Sequence, residues 1–284
     1  MGADAGSTPV LVDEAGCHPL NRLPGRERDA DVLDLIRTPL TAAEVSSLTS
    51  SEPMAMPAAW LPPILHPPKN VICVGRNYVE HVREGAAAVG RAAEVPMVPV
   101  FFTKPHTALI GSGAVVEVPR DLASELDYEG ELAAVIGVGG RGIPAADALD
   151  HVFGYTLLND MTARDRQREH RQWFLGKGID SLAPCGPLVV TSDEVGDPQR
   201  LRLTTTVNGE LRQDASTATM IFDVAQLIAT LSAAITLEPG DIIATGTPAG
   251  TGLGFDPPRY LADGDVVTVA IEGIGELTNP VRFV

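Results

Sequence analysis

Two acids placed at the head of an apolar strand restrict the fold of this chain more than any other feature. LDYEGEL (126–132) runs directly into AAVIG. Strand side chains alternate between faces, so Glu129 and Glu131 project to one side, and that side continues as Ala133 and Val135. A second run, HVFGYTLLND (151–160), has the β-branched and aromatic content of another buried strand and carries Asp160 at its C-terminal end. Carboxylates packed together repel one another and take up protons, so a cation is their natural partner. An oxygen set with neither Cys nor His beside it suits a hard ion, Mg²⁺ or Mn²⁺ with Ca²⁺ as a substitute, and argues against zinc. The same spacing also fits an acidic strand edge in solvent.

The 284 residues suffice for one large domain, or a small one followed by a large one. A formal net charge of -16 repels phosphate backbones and anionic lipid, and no basic patch offsets it, so neither nucleic acid nor membrane is expected as a partner. No apolar stretch is long enough for a span, and the first residues have no signal-peptide pattern, which predicts a cytoplasmic protein. Cys17, Cys73 and Cys185 lie far apart and should be reduced, packed thiols. Of the 21 basic residues only Lys69, Lys104 and Lys177 are lysine. An ammonium is compact and tunable where a guanidinium is not, so each retained lysine is a candidate for chemistry, Lys69 the weakest of them.

Residues 1–66 read as a small separate domain: VLVDEAGCHPL holds two short apolar runs about a Gly turn, and ADVLDLIR has helical spacing. A Pro-rich connector from Pro53 to Pro68 excludes regular structure and places the boundary before a 67–284 domain. Beyond it, NVICVG, VPVFFTKP and GAVVEVP are strand-like, and RNYVEHVREGAAAVGRAA starts as a helix and ends in a mobile-looking Gly- and Ala-rich stretch. MTARDRQREHRQWF (161–174) reads as one charged helix and MIFDVAQLIATLSAAI (220–235) as an amphipathic one. The remainder is β-rich, with NG, PGD and DGD turn signals, giving a β-rich mixed α+β class.

His81 and Glu84 are three residues apart on one helix face, and a carboxylate-held imidazole is a good general base near neutral pH; the spacing is equally that of an ordinary surface pair. Lys177, between two glycines, can reach a substrate carboxylate or an enolate oxygen. Arg164 and Gln167 share a face of the charged helix and point back toward the acids. TGTPAGTG (245–252) offers backbone N–H groups and the Thr247 hydroxyl to an anion, but matches neither the P-loop nor the dinucleotide pattern.

In their order, PKNVICVGRNYVEHVREG, FFTKP, LDYEGELAAVIG, GYTLLNDMTARDRQ, GKGIDSLAPCGP, PGDIIATGTPAG and DGDVVTVAIEGIGELTNPV resemble the fumarylacetoacetate hydrolase family over roughly 69–284. The resemblance implies the family's β-roll fold preceded by a small N-terminal α/β domain, a homodimer, and Mg²⁺ or Mn²⁺ on Glu129, Glu131 and Asp160. It further implies His81 and Glu84 as the water-activating pair, Lys177 as the enolate stabiliser, and Arg76, Arg164, Gln167 and Thr247 as substrate contacts. The fumarylacetoacetases proper have a fourth carboxylate on the strand before the histidine, where Val71–Gly75 has none, which points to the shorter branch of acylpyruvate hydrolases, oxaloacetate decarboxylases and dioate isomerases. The leading expectation is hydrolysis of a carbon–carbon bond in a 2,4-dioxo acid, releasing pyruvate as its enolate. Its rivals are decarboxylation of oxaloacetate, tautomerisation of an unsaturated 2-oxo or 2-hydroxy acid, and a non-catalytic cation-binding protein. The 86–96 stretch is expected to close as a lid.

Overall fold

The structure, a computed structural model, describes residues 8–29 and 31–284. Strands β1 (Val10–Asp13) and β2 (Gly16–Pro19) form a hairpin, followed by helices α1 (Val32–Arg37) and α2 (Ala42–Thr49). Helix α1 starts where the Asp31 carboxylate caps the Leu33 N–H, and α2 where Thr41 and Glu44 form a capping box. The connector to residue 68 holds no regular helix, as its prolines require.

The chain then makes β3 (Val71–Gly75), α3 (Val79–Ala88), β4 (Val100–Lys104), β5 (Leu109–Ile110), β6 (Val116–Val118), β7 (Leu126–Asp127), β8 (Gly130–Ile136) and β9 (Val152–Asn159). Next come β10 (Thr162–Ala163), α4 (Arg164–Glu169), α5 (Phe174–Lys177), β11 (Ala183–Thr191) and α6 (Ser192–Val195). The last elements are β12 (Arg202–Val207), β13 (Glu210–Ser216), α7 (Val224–Ala234), β14 (Ile242–Ala244), β15 (Val266–Ile271) and β16 (Gly275–Phe283).

One mixed sheet has the order β4-β3-β14-β8-β9-β11-β5 and a second the order β13-β12-β15-β16-β6. They pack on each other through β8, β9 and β11 against β12, β15 and β16, a curled, half-barrel arrangement of the β-roll type with helices around it. Parity along β8 sorts the core. Leu132, Ala134 and Ile136 face the layer shared with Leu203, Val269 and Leu277 of the second sheet and Ile228 of α7. Ala133 and Val135 face the opposite way, toward Val71, Cys73, Leu158 and Ala244 and the α1 residues Leu33 and Ile36. Every residue of β8 is therefore buried, as a central strand covered on both faces must be.

The expected helix over 161–174 is not one helix. Thr162 and Ala163 pair with Asp127 and Leu126 as a short β-bridge, which holds the chain extended to residue 163. Helix α4 ends at Glu169, and after a bend α5 returns against it, so that a Cβ at Gly176 would stand 2.6 Å from the Gln167 nitrogen. That close approach requires glycine. The bend turns Lys177 inward at the end of α5.

Candidate metal centre and active site

Strands β8 and β9 are antiparallel with Gly130 opposite Asn159, and the Asp160 N–H donates to the Glu129 carbonyl at 2.8 Å. The acids flanking this pair, Glu129, Glu131 and Asp160, each offer a carboxylate oxygen within 4.8 Å of the others, and all three are buried. The parity reading is correct: Glu131 continues the face of Ala133 and Val135. Its Oε2 accepts the Gly246 N–H at 2.8 Å, where β14 has just ended, so this end of the sheet is where three strands expose backbone and acids together.

Three cations surround the acids. The Lys177 Nζ donates to Glu129 Oε2 at 2.8 Å and Asp160 Oδ2 at 2.5 Å. Lys104, fully buried, donates to Asp160 Oδ1 at 2.7 Å and to the Met161 carbonyl at 2.9 Å. The Arg164 Nη1 lies 2.7 Å from Glu129 Oε1. Burial alone would raise the Glu129 pKa, but Lys177, Arg164 and the more remote His81 hold it well below the usual carboxylate range. For Glu131 burial, then the charges of Asp160 and Glu129, outweigh the opposing Lys177 charge and the Gly246 N–H and push it well above that range. Burial depresses Lys104 and the like charge of Lys177 adds to this, whereas for Lys177 the burial is outweighed by Asp160 and Glu129, which raise it. A buried carboxylate whose ionisation is opposed by two other acids, in an all-oxygen set, fits a hard divalent cation as a ligand group.

His81 sits on α3, one turn after β3. Its Nδ1 is 3.1 Å from Glu84 Oε2, so the pair expected from spacing is formed. Glu84 is itself held by the 245–252 loop, Oε1 accepting the Gly250 N–H at 2.8 Å and Oε2 the Thr251 hydroxyl at 3.0 Å. The loop expected to bind an anion thus grips a side chain of the chain itself.

The four residues expected to touch substrate are placed differently from one another. Arg76, at φ 61°, donates to the Glu94 carbonyl at 2.6 Å and so reaches into the 86–96 stretch. Arg164 is buried, with Nε 2.9 Å and Nη2 2.8 Å from Asp127 Oδ2, and Gln167 accepts from its Nη1 at 3.2 Å. The Thr247 hydroxyl donates to the Gly130 carbonyl at 2.9 Å and accepts from Gln213 at 2.8 Å. Arg164 and Thr247 are therefore engaged within the protein, against the acids and the β8 backbone.

Sequence reasoning left Asp127 and Lys104 out of the site. Lys104 had one signal, the scarcity of lysine. Asp127 had none beyond its place in LDYEGEL, because its partners come from residues 164 and 252–253. Cys73 on β3 lies within the field of these acids, and its thiol is pushed up by burial and by Asp160 and Glu131 and stays neutral. All three cysteines are free and buried. A cavity of about 990 Å³ lies elsewhere, between the N-terminal stretch and β11, and none of the three acids lines it.

The family model described as fumarylacetoacetate (FAA) hydrolase C-terminal matches residues 70–282. The chain is 49% identical over 219 residues to oxaloacetate tautomerase YisK of Bacillus subtilis, covering 77% of this chain and 71% of that one. It is similar to the solved structure of a fumarylacetoacetate hydrolase from Exiguobacterium antarcticum, with TM-score 0.82, 41% identity and coverage of 99% and 97% of the two chains. It is also similar to a fumarylpyruvate hydrolase from Pseudomonas aeruginosa in complex with Mn²⁺ and pyruvate, with TM-score 0.67, 37% identity and coverage of 76% and 90%. With its motifs in order, its acids gathered at one sheet end and most of its length matched, the chain belongs to the fumarylacetoacetate hydrolase family.

Proposed function

We propose that this protein is a divalent-metal-dependent enzyme that draws a short 2-oxo acid through its enolate, and that its reaction is keto–enol tautomerisation of oxaloacetate or a close 2-oxo diacid. The observation that carries this reading is the buried Lys177 ammonium shared between two of the three gathered acids, together with a carboxylate-held imidazole on α3. The similarity to the Bacillus tautomerase, together with the family's practice of acting on dioxo and keto acids, supports this substrate class.

Glu129, Glu131 and Asp160 would hold the ion, Mg²⁺ or Mn²⁺. Bound there, it would supply positive charge to the carboxylate and 2-oxo oxygens of the substrate. His81, oriented by Glu84, takes a proton from C3 and a proton is delivered to the 2-oxo oxygen, so that a C–H bond breaks, an O–H bond forms and the double bond moves from C2=O to C2=C3. Lys177 meets the negative charge that develops on the 2-oxo oxygen, an interaction that strengthens only as the enolate forms. Arg76 and the 86–96 stretch form the lid of this reading, Gln167 and Arg164 the wall behind the acids, and Thr247 the link that fixes the 245–252 loop to β8. A homodimer belongs to the same reading and is supported by the exposed apolar residues Met97, Val98, Phe174 and Leu175.

Hydrolysis of a 2,4-dioxo acid is a second reading, favoured by the same His81–Glu84 pair, which can activate a water in place of a C–H bond. One pair of assays separates them: enol decay of oxaloacetate and pyruvate release from acetylpyruvate, each with Mg²⁺, with Mn²⁺ and with chelator. Metal-dependent acceleration of the first without the second supports the tautomerase; the reverse supports the hydrolase; neither would overturn the enzyme reading.

A further inference from the structure

Asp127 lies at the junction between the two halves of this site. It is fully buried, in β7, two residues before Glu129. Its Oδ1 accepts the N–H groups of Tyr128 at 2.9 Å and Gly252 at 2.6 Å. Its Oδ2 accepts the Leu253 N–H at 3.1 Å and the Arg164 Nε at 2.9 Å, with Arg164 Nη2 also 2.8 Å away. Every partner is an N–H donor, which suits a carboxylate and leaves the NH₂ of an amide facing other donors.

Two routes leave this carboxylate. Through Arg164 it reaches Glu129 Oε1, 2.7 Å from Nη1. Through the backbone of residues 252 and 253 it fixes the turn whose Gly250 N–H and Thr251 hydroxyl hold Glu84, and Glu84 holds His81. The fit at the junction is tight: a Cβ at Gly252 would stand 2.7 Å from Asp127 Oδ1. A proton-transfer pair and a charge-stabilising centre must be registered closely, since a displacement of about 1 Å costs on the order of 100-fold in rate.

We propose that Asp127 is a positioning residue that sets the His81–Glu84 pair against the Glu129–Glu131–Asp160 centre. This rests on the assignment of that pair to proton transfer. The rival account is that Asp127 only balances the Arg164 charge and supports the fold.

The test is a double-mutant cycle on the full Mg²⁺-loaded chain, using Asp127→Asn, Glu84→Gln and the double variant with oxaloacetate as substrate. Asp127→Asn should lower kcat by about 10- to 100-fold, leaving KM and the Mg²⁺ dissociation constant within about threefold. In the Glu84→Gln background the same change should cost less than about twofold, because a group that acts through Glu84 has nothing left to position. Equal losses in both backgrounds, or a loss carried by Mg²⁺ affinity, would overturn the inference while leaving the pair's role intact. Wild-type turnover in Glu84→Gln would overturn the underlying assignment, and the inference with it. Asp127→Glu keeps the charge beside Arg164 but shifts the carboxylate by a methylene, so it guards against an Asn variant that does not fold. Positioning predicts a comparable kcat loss in the Glu variant; full activity there would also contradict it.

Discussion

At the residue scale the site is an exercise in sharing charge below the surface. Asp160 divides its two oxygens between Lys104 and Lys177, and the two ammonium groups differ in what else holds them. Lys104 is tied to a backbone carbonyl and has no exposure, so its work is to hold Asp160. Removing it leaves a buried carboxylate oxygen without its counter-charge, and breaking a buried pair in this way costs about 3–5 kcal/mol. Lys104→Met should therefore lower the unfolding free energy by about that amount in urea titrations. Lys177 also touches Glu129, on the side where substrate charge develops in the proposed reaction. Lys177→Met should cut kcat by about 100-fold or more without weakening metal binding, and Lys177→Arg should not restore it, because a planar fork cannot replace a point charge. Wild-type kcat in either Lys177 variant would remove this residue from the chemistry. The three gathered acids were legible from strand parity and one apolar run, and His81 with Glu84 from helical spacing. Lys104 and Asp127 were not, because their partners are fixed by the packing of β4, α4 and the 245–254 turn rather than by any local pattern.

Elements in this chain end where function begins. Strand β14 stops at Ala244 so that the Gly246, Gly250, Gly252 and Leu253 N–H groups turn to carboxylates instead of to a ladder. The charged segment 161–174 shows why a helical pattern alone misleads: the β7–β10 pair claims residues 162 and 163, and the approach of Gly176 to Gln167 folds α5 back on α4. Charge density gave no hint of either contact. Helix α2 offers a separate test of the electrostatics. Arg26 donates to Glu44 Oε1 at 3.0 Å and the Thr41 N–H to Oε2 at 2.7 Å; Arg26 first, then Thr41, hold the carboxyl at about 2 against an ordinary value of 4.5. A depressed folded-state pKa contributes stability that is complete above the unfolded value and disappears as pH falls through the folded one. The stability gap between wild type and Glu44→Gln should thus be full at about pH 6 and close between about 4.5 and about 2. A gap unchanged at about pH 2.5 would contradict the role of this capping box.

Across the whole molecule, the two sheets and α7 build a core whose only concentrated buried charge, among the described residues, lies at the end where β8 begins and β9 and β14 finish. No described helix is long and apolar enough to cross a membrane. Fold and family were readable because the apolar strands and their acids recur in a fixed order; the choice among tautomerase, hydrolase and decarboxylase was not, because in the proposed reading all three would use one enolate-forming centre. Since Glu131 is buried beside the charges of Asp160 and Glu129, chelator should lower Tm and restoring Mg²⁺ or Mn²⁺ should recover it, in proportion to free metal over its dissociation constant. An unchanged Tm across that cycle would argue against an ion on these acids.

The central claim is that this cluster makes the enolate of a 2-oxo acid, and hydrogen exchange at C3 reports that event directly. Oxaloacetate in D₂O, followed by proton NMR with the Mg²⁺-loaded protein, should lose its C3 protons faster than with Mg²⁺ alone. The acceleration should disappear in Lys177→Met and in chelator-treated protein. Exchange no faster than with Mg²⁺ alone, or exchange undiminished without Lys177, would contradict the account.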